Sequence, residues 1–211
     1  EADGHNVQLI RNPGQLHENG LLLLTPPAFA DAKDIDQIVQ RRRYAGPTLI
    51  VLPKWNAMRV PPQLKVKARK GWVVVFGTDS PGWAKEILSA AMEPQIVDRS
   101  TGSPPTWHGL GGTGKFPDAR AIQTVTSGKL TALVKDDKGQ DLVSFLDDGG
   151  HYPDLVRLAG ESPPASEDAG NEGLQPVIVV AEPDLVDNYA LADRDRAMLA
   201  LRIVDAATGG G

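Results

Sequence analysis

The chain has 211 residues, enough for one domain with a real core, and its 41% hydrophobic and 23% charged content is that of an ordinary soluble globular protein. A net charge of −5 argues against a polyanionic partner, and 5% aromatic residues are too few for a platform of stacked nucleobases. The absence of cysteine excludes a thiol nucleophile, a cysteine metal or iron–sulfur site and any disulfide.

No apolar run approaches the roughly 20 residues needed to cross a bilayer. Glu1-Ala2-Asp3-Gly4-His5 reads as the last turn of a helix with a glycine cap, and the chain ends in Gly209-Gly210-Gly211. Both ends are expected to be cuts from a longer chain, with residues 1–211 forming a single α/β domain. Val7–Ile10 is expected to be a first strand, followed by a polar connection from Arg11 to Asn19.

The organising stretch is Leu21 to Trp55. Leu21–Leu24 is an apolar run stopped by Thr25-Pro26-Pro27, and Leu49–Leu52 is a second, stopped by Pro53. Each is too short for a stable helix, and strands covered on both faces read as continuous apolar runs. Between them, Asp31 to Tyr44 has Ile35, Ile38 and Val39 on one helical face. Asp31 or Asp34 can cap its start, and Arg41, Arg42 and Arg43 sit where the helix dipole favours cations. These arginines project in different directions, which argues against a nucleic-acid patch. Strand, helix, strand is the βαβ unit of a parallel sheet.

After Trp55 a proline-containing loop leads through Pro61-Pro62 to the basic stretch Lys65–Lys70. Gly71–Gly77 reads as a strand from its β-branched content. Ser80-Pro81 opens a helix with an apolar face of Trp83, Ile87, Leu88 and Ala91, and Gln95–Asp98 is a short strand. Ser100–Arg120 is rich in Gly and Pro and reads as irregular. Ile122–Thr126, Leu130–Val134 and Leu142–Leu146 form an antiparallel extension, with a hairpin turn at Asp136-Asp137-Lys138-Gly139. Glu161–Leu174 is a polar loop and Val177–Val180 a further buried strand. The last helix spans about Asp193–Ala206, with Met198, Leu201 and Val204 inward.

The phosphate-loop pattern G-x-x-x-x-G-K occurs at Gly109–Lys115, but the context rejects it. No apolar strand precedes it, and Phe116 stands where a Ser or Thr should hold magnesium. There is no G-x-S-x-G turn, and His5, His17, His108 and His151 lack metal-ligand spacing. His151 has Asp148 and Asp154 near it in sequence as partners for a base.

Ligands in parallel α/β sheets collect beyond the carboxyl ends of the strands. Here those ends carry Thr25, Lys54 and Trp55, and after the last strand Glu182, Asp184, Asp187, Asn188 and Tyr189. The candidate ligand-binding set is therefore Thr25, Lys54, Trp55, Glu182, Asp184 and Asn188. The competing reading makes Asp184 and Asn188 turn residues and Asp193 a helix cap. No catalytic residue, metal ligand or cofactor is assigned from the sequence.

Two segments carry a resemblance. Leu21-Leu22-Leu23-Leu24-Thr25-Pro26-Pro27 with Leu49-Ile50-Val51-Leu52-Pro53-Lys54-Trp55, and the closing stretch Val177–Val204 with Glu182-Pro183-Asp184-Leu185 and Asn188, resemble the bacterial family called domain of unknown function 4350. Where that family carries Asp-Asn at the last helix start, this chain has Asp195-Arg196, so no role of that asparagine transfers. The resemblance implies a flavodoxin-like, class I glutamine amidotransferase-like three-layer sandwich. Its central sheet would be mostly parallel, with the antiparallel extension from about 120 to 146. It further implies a membrane-anchored protein of the bacterial inner membrane, with this domain in the periplasm and a MoxR-associated protein partner. The amidotransferase triad needs cysteine, so that activity does not transfer. The expected role is non-catalytic binding of a small ligand or a protein, without nucleic acid; the alternative is a metal-assisted hydrolase using the acidic cluster after the last strand.

Overall fold

The computed structural model describes residues 7–10, 16, 19–61, 63, 66–67, 69, 71–162, 171–188 and 190–209. The expected amino-terminal helix turn, His5, His17, Tyr189 and most of the 161–174 loop lie outside the described residues.

The organising stretch folds as strand, helix, strand: β1 (Leu22–Leu24), α1 (Ala32–Arg42) and β2 (Thr48–Val51). Asp31 caps α1 by accepting from the Lys33 amide at 2.8 Å. Arg42 is buried, and its guanidinium donates to the carbonyls of Leu16, Gly20 and Pro47, pinning the approach to β1. Arg43 instead pairs with Asp148 at 2.7 Å, and Arg41 faces water. The arginine run is thus divided among separate tasks.

β11 (Val177–Val180) lies beside β2 and parallel to it, with Val180 opposite Val51. Because side chains alternate along a strand, Leu49, Ile178 and Val180 face one way and Ile50, Val177 and Val179 the other. The first set packs on Leu199 and Ile203 of α3 (Arg194–Thr208) and Leu155 of α2 (Pro153–Leu158). The second packs on Ile35 and Val39 of α1. Helices therefore cover both faces of a mixed sheet.

Of the strands among the described residues, only β1, β2 and β11 pair in parallel, which corrects the mostly parallel sheet expected from the sequence. The antiparallel part is larger than residues 120–146. It comprises β5 (Glu93–Val97), β6 (Thr106–Gly109), β7 (Gly112–Lys115), β8 (Ile122–Thr126), β9 (Leu130–Asp136) and β10 (Asp141–Leu146). β10 bonds to β11 and joins the two parts. Within the 100–120 stretch, read from the sequence as irregular, residues 106–115 form a β-hairpin, while the residues on either side of it are outside any strand. Its glycines serve close packing: the Trp107 indole, 1% exposed, lies against Gly112 and Gly114.

Other expectations fail for identifiable reasons. Val7–Ile10 has no strand partner among the described residues, with Val7 84% exposed. The segment after Pro81 forms two short 3-10 turns, Gly82–Lys85 and Ile87–Ser89. Asp36 of α1 accepts from the Leu88 amide at 2.7 Å and holds Leu88 at φ 56°, which ends helical winding. α3 buries Leu199, Ile203, Ala206 and Ala207, while Met198 and Leu201 face out, so the inner face is rotated from the expected one. Small alanines let the helix sit close to the sheet. The stretch after Trp55 is β3 (Trp55–Arg59), not loop, and it pairs with β4 (Val73–Thr78) in a separate two-stranded hairpin.

Candidate functional site

Parallel pairing of β2 with β11 brings their carboxyl ends together. Lys54 follows β2 and Glu182 follows β11, so both enter one interior space. Lys54 is 2% exposed, Glu182 0% and Asp184 3%. The Lys54 ammonium lies 2.5 Å from Glu182 Oε1 and 2.9 Å from Asp184 Oδ2, and donates to the Ala121 carbonyl at 2.5 Å. Trp55 donates its indole N–H to Asp184 Oδ1 at 2.5 Å, and Lys54 Nζ sits 5.0 Å from that ring's centroid.

The remaining acceptor capacity is also used. Glu182 Oε2 accepts from the Gln123 amide at 2.6 Å, and Oε1 from the Asp184 amide at 2.9 Å. Gln123 donates its side-chain amide to the Ala181 carbonyl at 2.7 Å. One buried cation thus faces two buried carboxylates. Burial pushes the Glu182 carboxyl up to about 7; Lys54 opposes that rise and Asp184 adds to it.

Four of the six expected residues meet here: Lys54, Trp55, Glu182 and Asp184. Thr25 and Asn188 do not join them. Both are exposed, and neither bonds to the cluster. Gln123 and the Ala121 carbonyl are members the sequence did not single out. Asp187 accepts from the Ala190 amide and Asp193 caps α3 by accepting from the Arg196 amide, so these two carboxylates serve a turn and a cap, outside the cluster. His151 gains no carboxylate. Asp148 is held by Arg43 and Tyr152, and Asp154 pairs with Arg157. Among the described residues no three His, Asp or Glu side chains are grouped to hold a metal ion.

Outside the buried cluster lies a cleft of about 870 Å³. Trp55, Ala57, Val73 and Val75 of the β3–β4 hairpin form an apolar wall, and Pro117 and Ala119 face them. Asp118 and Arg120, paired at 2.6 Å, lie at its rim. The Arg120 guanidinium holds the Asp118 carboxyl below its usual range. Asp184 links cluster and cleft, since it lines the cleft and anchors Trp55. A smaller cleft, about 470 Å³, lies at the ends of α2 and α3 between Arg157 and Arg202 and contains none of the expected residues. Comparisons with protein-family models, curated proteins and solved structures find no match to this chain.

Proposed function

We propose that the chain is a non-catalytic binding domain whose cleft, walled by Trp55, Ala57, Val73 and Val75, takes a small ligand or an apolar segment of a protein. One observation carries this reading. Lys54 Nζ donates to the Ala121 carbonyl and to Glu182 Oε1 and lies in ion-pair contact with Asp184 Oδ2, while Glu182 Oε2 and Asp184 Oδ1 each have a donor of their own. A general acid, base or nucleophile needs reach to substrate, and these groups spend theirs on one another. They position the cleft wall instead.

The same engagement weighs against the metal-assisted hydrolase. A metal at Glu182 and Asp184 has to displace a buried ammonium that neutralises them. The fold belongs in this proposal as flavodoxin-like, of the class I glutamine amidotransferase type; the β1–α1–β2 unit and the helices on both faces support it. The family resemblance supports placing the domain on the periplasmic side of the bacterial inner membrane. It would be attached through segments outside residues 1–211 and would work beside a MoxR-associated protein partner.

The test is turnover of p-nitrophenyl acetate and glutamine, with calorimetric titration of Zn²⁺ and Mg²⁺. The expected result is no turnover and no saturable heat. Turnover abolished by Lys54→Met or Asp184→Asn overturns the reading. Binding is read from the Trp55 indole N–H resonance during a fragment screen, where hits are expected to shift it.

A further inference from the structure

The turn between β6 and β7 holds Leu110 at φ 48°, a left-handed conformation that L side chains rarely adopt. Such strain persists where the surroundings impose it, and it gathers at ligand clamps. Here it sets the Leu110 side chain, 7% exposed, into the floor of the cleft of about 470 Å³ beside α2 and α3. Ala206 completes the floor, and Leu158, 45% exposed, forms an apolar wall. The volume suits a small molecule.

The charges around this cleft are unequally engaged. Asp154 and Arg157 pair with each other. Elsewhere Arg42, Arg43, Arg99 and Arg196, all partly or wholly buried, each donate to a carbonyl or a carboxylate. Arg202 is half-buried too, yet among the described residues its guanidinium has neither a hydrogen bond nor an ion pair. Its Nη1 lies 2.5 Å from where a Cβ on Gly112 would stand, so the absence of a side chain there gives it its place. Asp205, further along α3, lines the same cleft, is exposed and has no ion pair among the described residues. Residues at this spacing are neighbours on a helix surface. A cation and an anion thus border one apolar hollow without neutralising each other.

We propose that this cleft is a site for a free α-amino acid with a branched aliphatic side chain. The guanidinium fork of Arg202 takes the α-carboxylate. Asp205 takes the α-ammonium, which the carboxyl end of the α3 dipole also favours. The side chain lies over Leu110, Ala206 and Leu158. A simple anion is opposed by Asp205, a simple cation by Arg202, and a peptide terminus brings one of the two charges. A free amino acid brings both beside an apolar group. The site is separate from the Trp55 cleft, and the proposal stands whether or not that cleft binds a ligand.

The experiment is calorimetric titration of the chain with L-leucine, with isocaproate, which lacks the ammonium, and with isoamylamine, which lacks the carboxylate. Saturable binding of leucine is expected, at least several-fold tighter than that of isocaproate, with the amine weakest. Arg202→Met, with unchanged circular dichroism, is expected to weaken leucine at least tenfold. Asp205→Asn, at an exposed position, is expected to bring leucine down to the level of isocaproate and to leave isocaproate no weaker. Absence of saturable heat with leucine overturns the proposal. So does leucine binding that survives Arg202→Met, or isocaproate binding the parent as tightly as leucine does.

Discussion

Lys54 Nζ lies 2.5 Å from Oε1 of Glu182, a residue 128 positions further along the chain, and both side chains are sealed from solvent. The pair is where β2 and β11 end, so one ion pair ties the carboxyl ends of two parallel strands. Asp184 extends it to Trp55 and so to the wall of the cleft. The charges are thereby a frame for an apolar surface.

Removing the cation isolates two buried carboxylates. Lys54→Met is expected to cost about 3–5 kcal/mol in urea unfolding, the scale for breaking a buried pair from one side. Adding Glu182→Leu to that variant is expected to recover part of the loss, since an apolar replacement removes a desolvated charge. A Lys54→Met protein as stable as the parent contradicts the assigned role.

The proton on Glu182 sets a pH dependence. Its folded carboxyl titrates at about 7, against 4.5 for the unpaired group. Between those values the folded state holds more protons than the unfolded one, so this group's contribution to stability falls as pH rises. The contribution is complete below about pH 4.5 and lost as pH passes through about 7. Unfolding free energies measured from pH 5 to 8 are expected to show this decline, on the order of 3 kcal/mol. Glu182→Gln is expected to remove that part of the slope. An unchanged profile in Glu182→Gln assigns the slope to other groups.

Trp55 couples cluster to cleft through one hydrogen bond. Trp55→Phe keeps an apolar wall but strips Asp184 Oδ1 of its donor. The expected cost is about 1.5–3 kcal/mol, the range for hydrogen bonds to charged groups. Fragments that bind the cleft are expected to lose affinity, measured by calorimetry against the parent. Equal stability and equal affinity contradict a positioning role for that bond.

Much of this arrangement is legible in the residues. The apolar runs ending at Leu24, Leu52 and Val180 disclose adjacent strands, although β1 is an edge with Leu23 59% exposed and not the doubly covered strand its apolar run suggests, and strand-end geometry then nominates Lys54, Trp55, Glu182 and Asp184. Thr25 fails although it also follows a parallel strand, because β1 is the sheet's edge, one strand further from β11, and the Thr25 side chain faces solvent. Gln123 was hidden because a polar residue in an alternating strand reads as solvent-facing, whereas both faces of β8 are covered here. The pairing of β10 with β11 is a long-range contact, which no local pattern encodes. The 106–115 hairpin is concealed by its own glycines, which resemble loop punctuation, although Gly112 and Gly114 make room for Trp107.

That last point separates two readings of Gly109–Lys115. A phosphate loop depends on its lysine, whereas a hairpin packed on an indole depends on its glycines. A Cβ added at Gly114 meets the Trp107 ring at 2.6 Å, closer than atoms can stand. Gly114→Val is expected to cost about 1–3 kcal/mol by overpacking and to lower the melting temperature. Trp107→Leu in the Gly114→Val background is expected to relieve the clash, so that the pair costs less than the sum of the single changes. Lys115 is exposed, and Lys115→Ala is expected to leave the melting curve unchanged, with or without ATP and magnesium. A nucleotide-dependent thermal shift that disappears in Lys115→Ala restores the phosphate-loop reading. Additive losses in the Gly114 and Trp107 variants remove the packing account of these glycines.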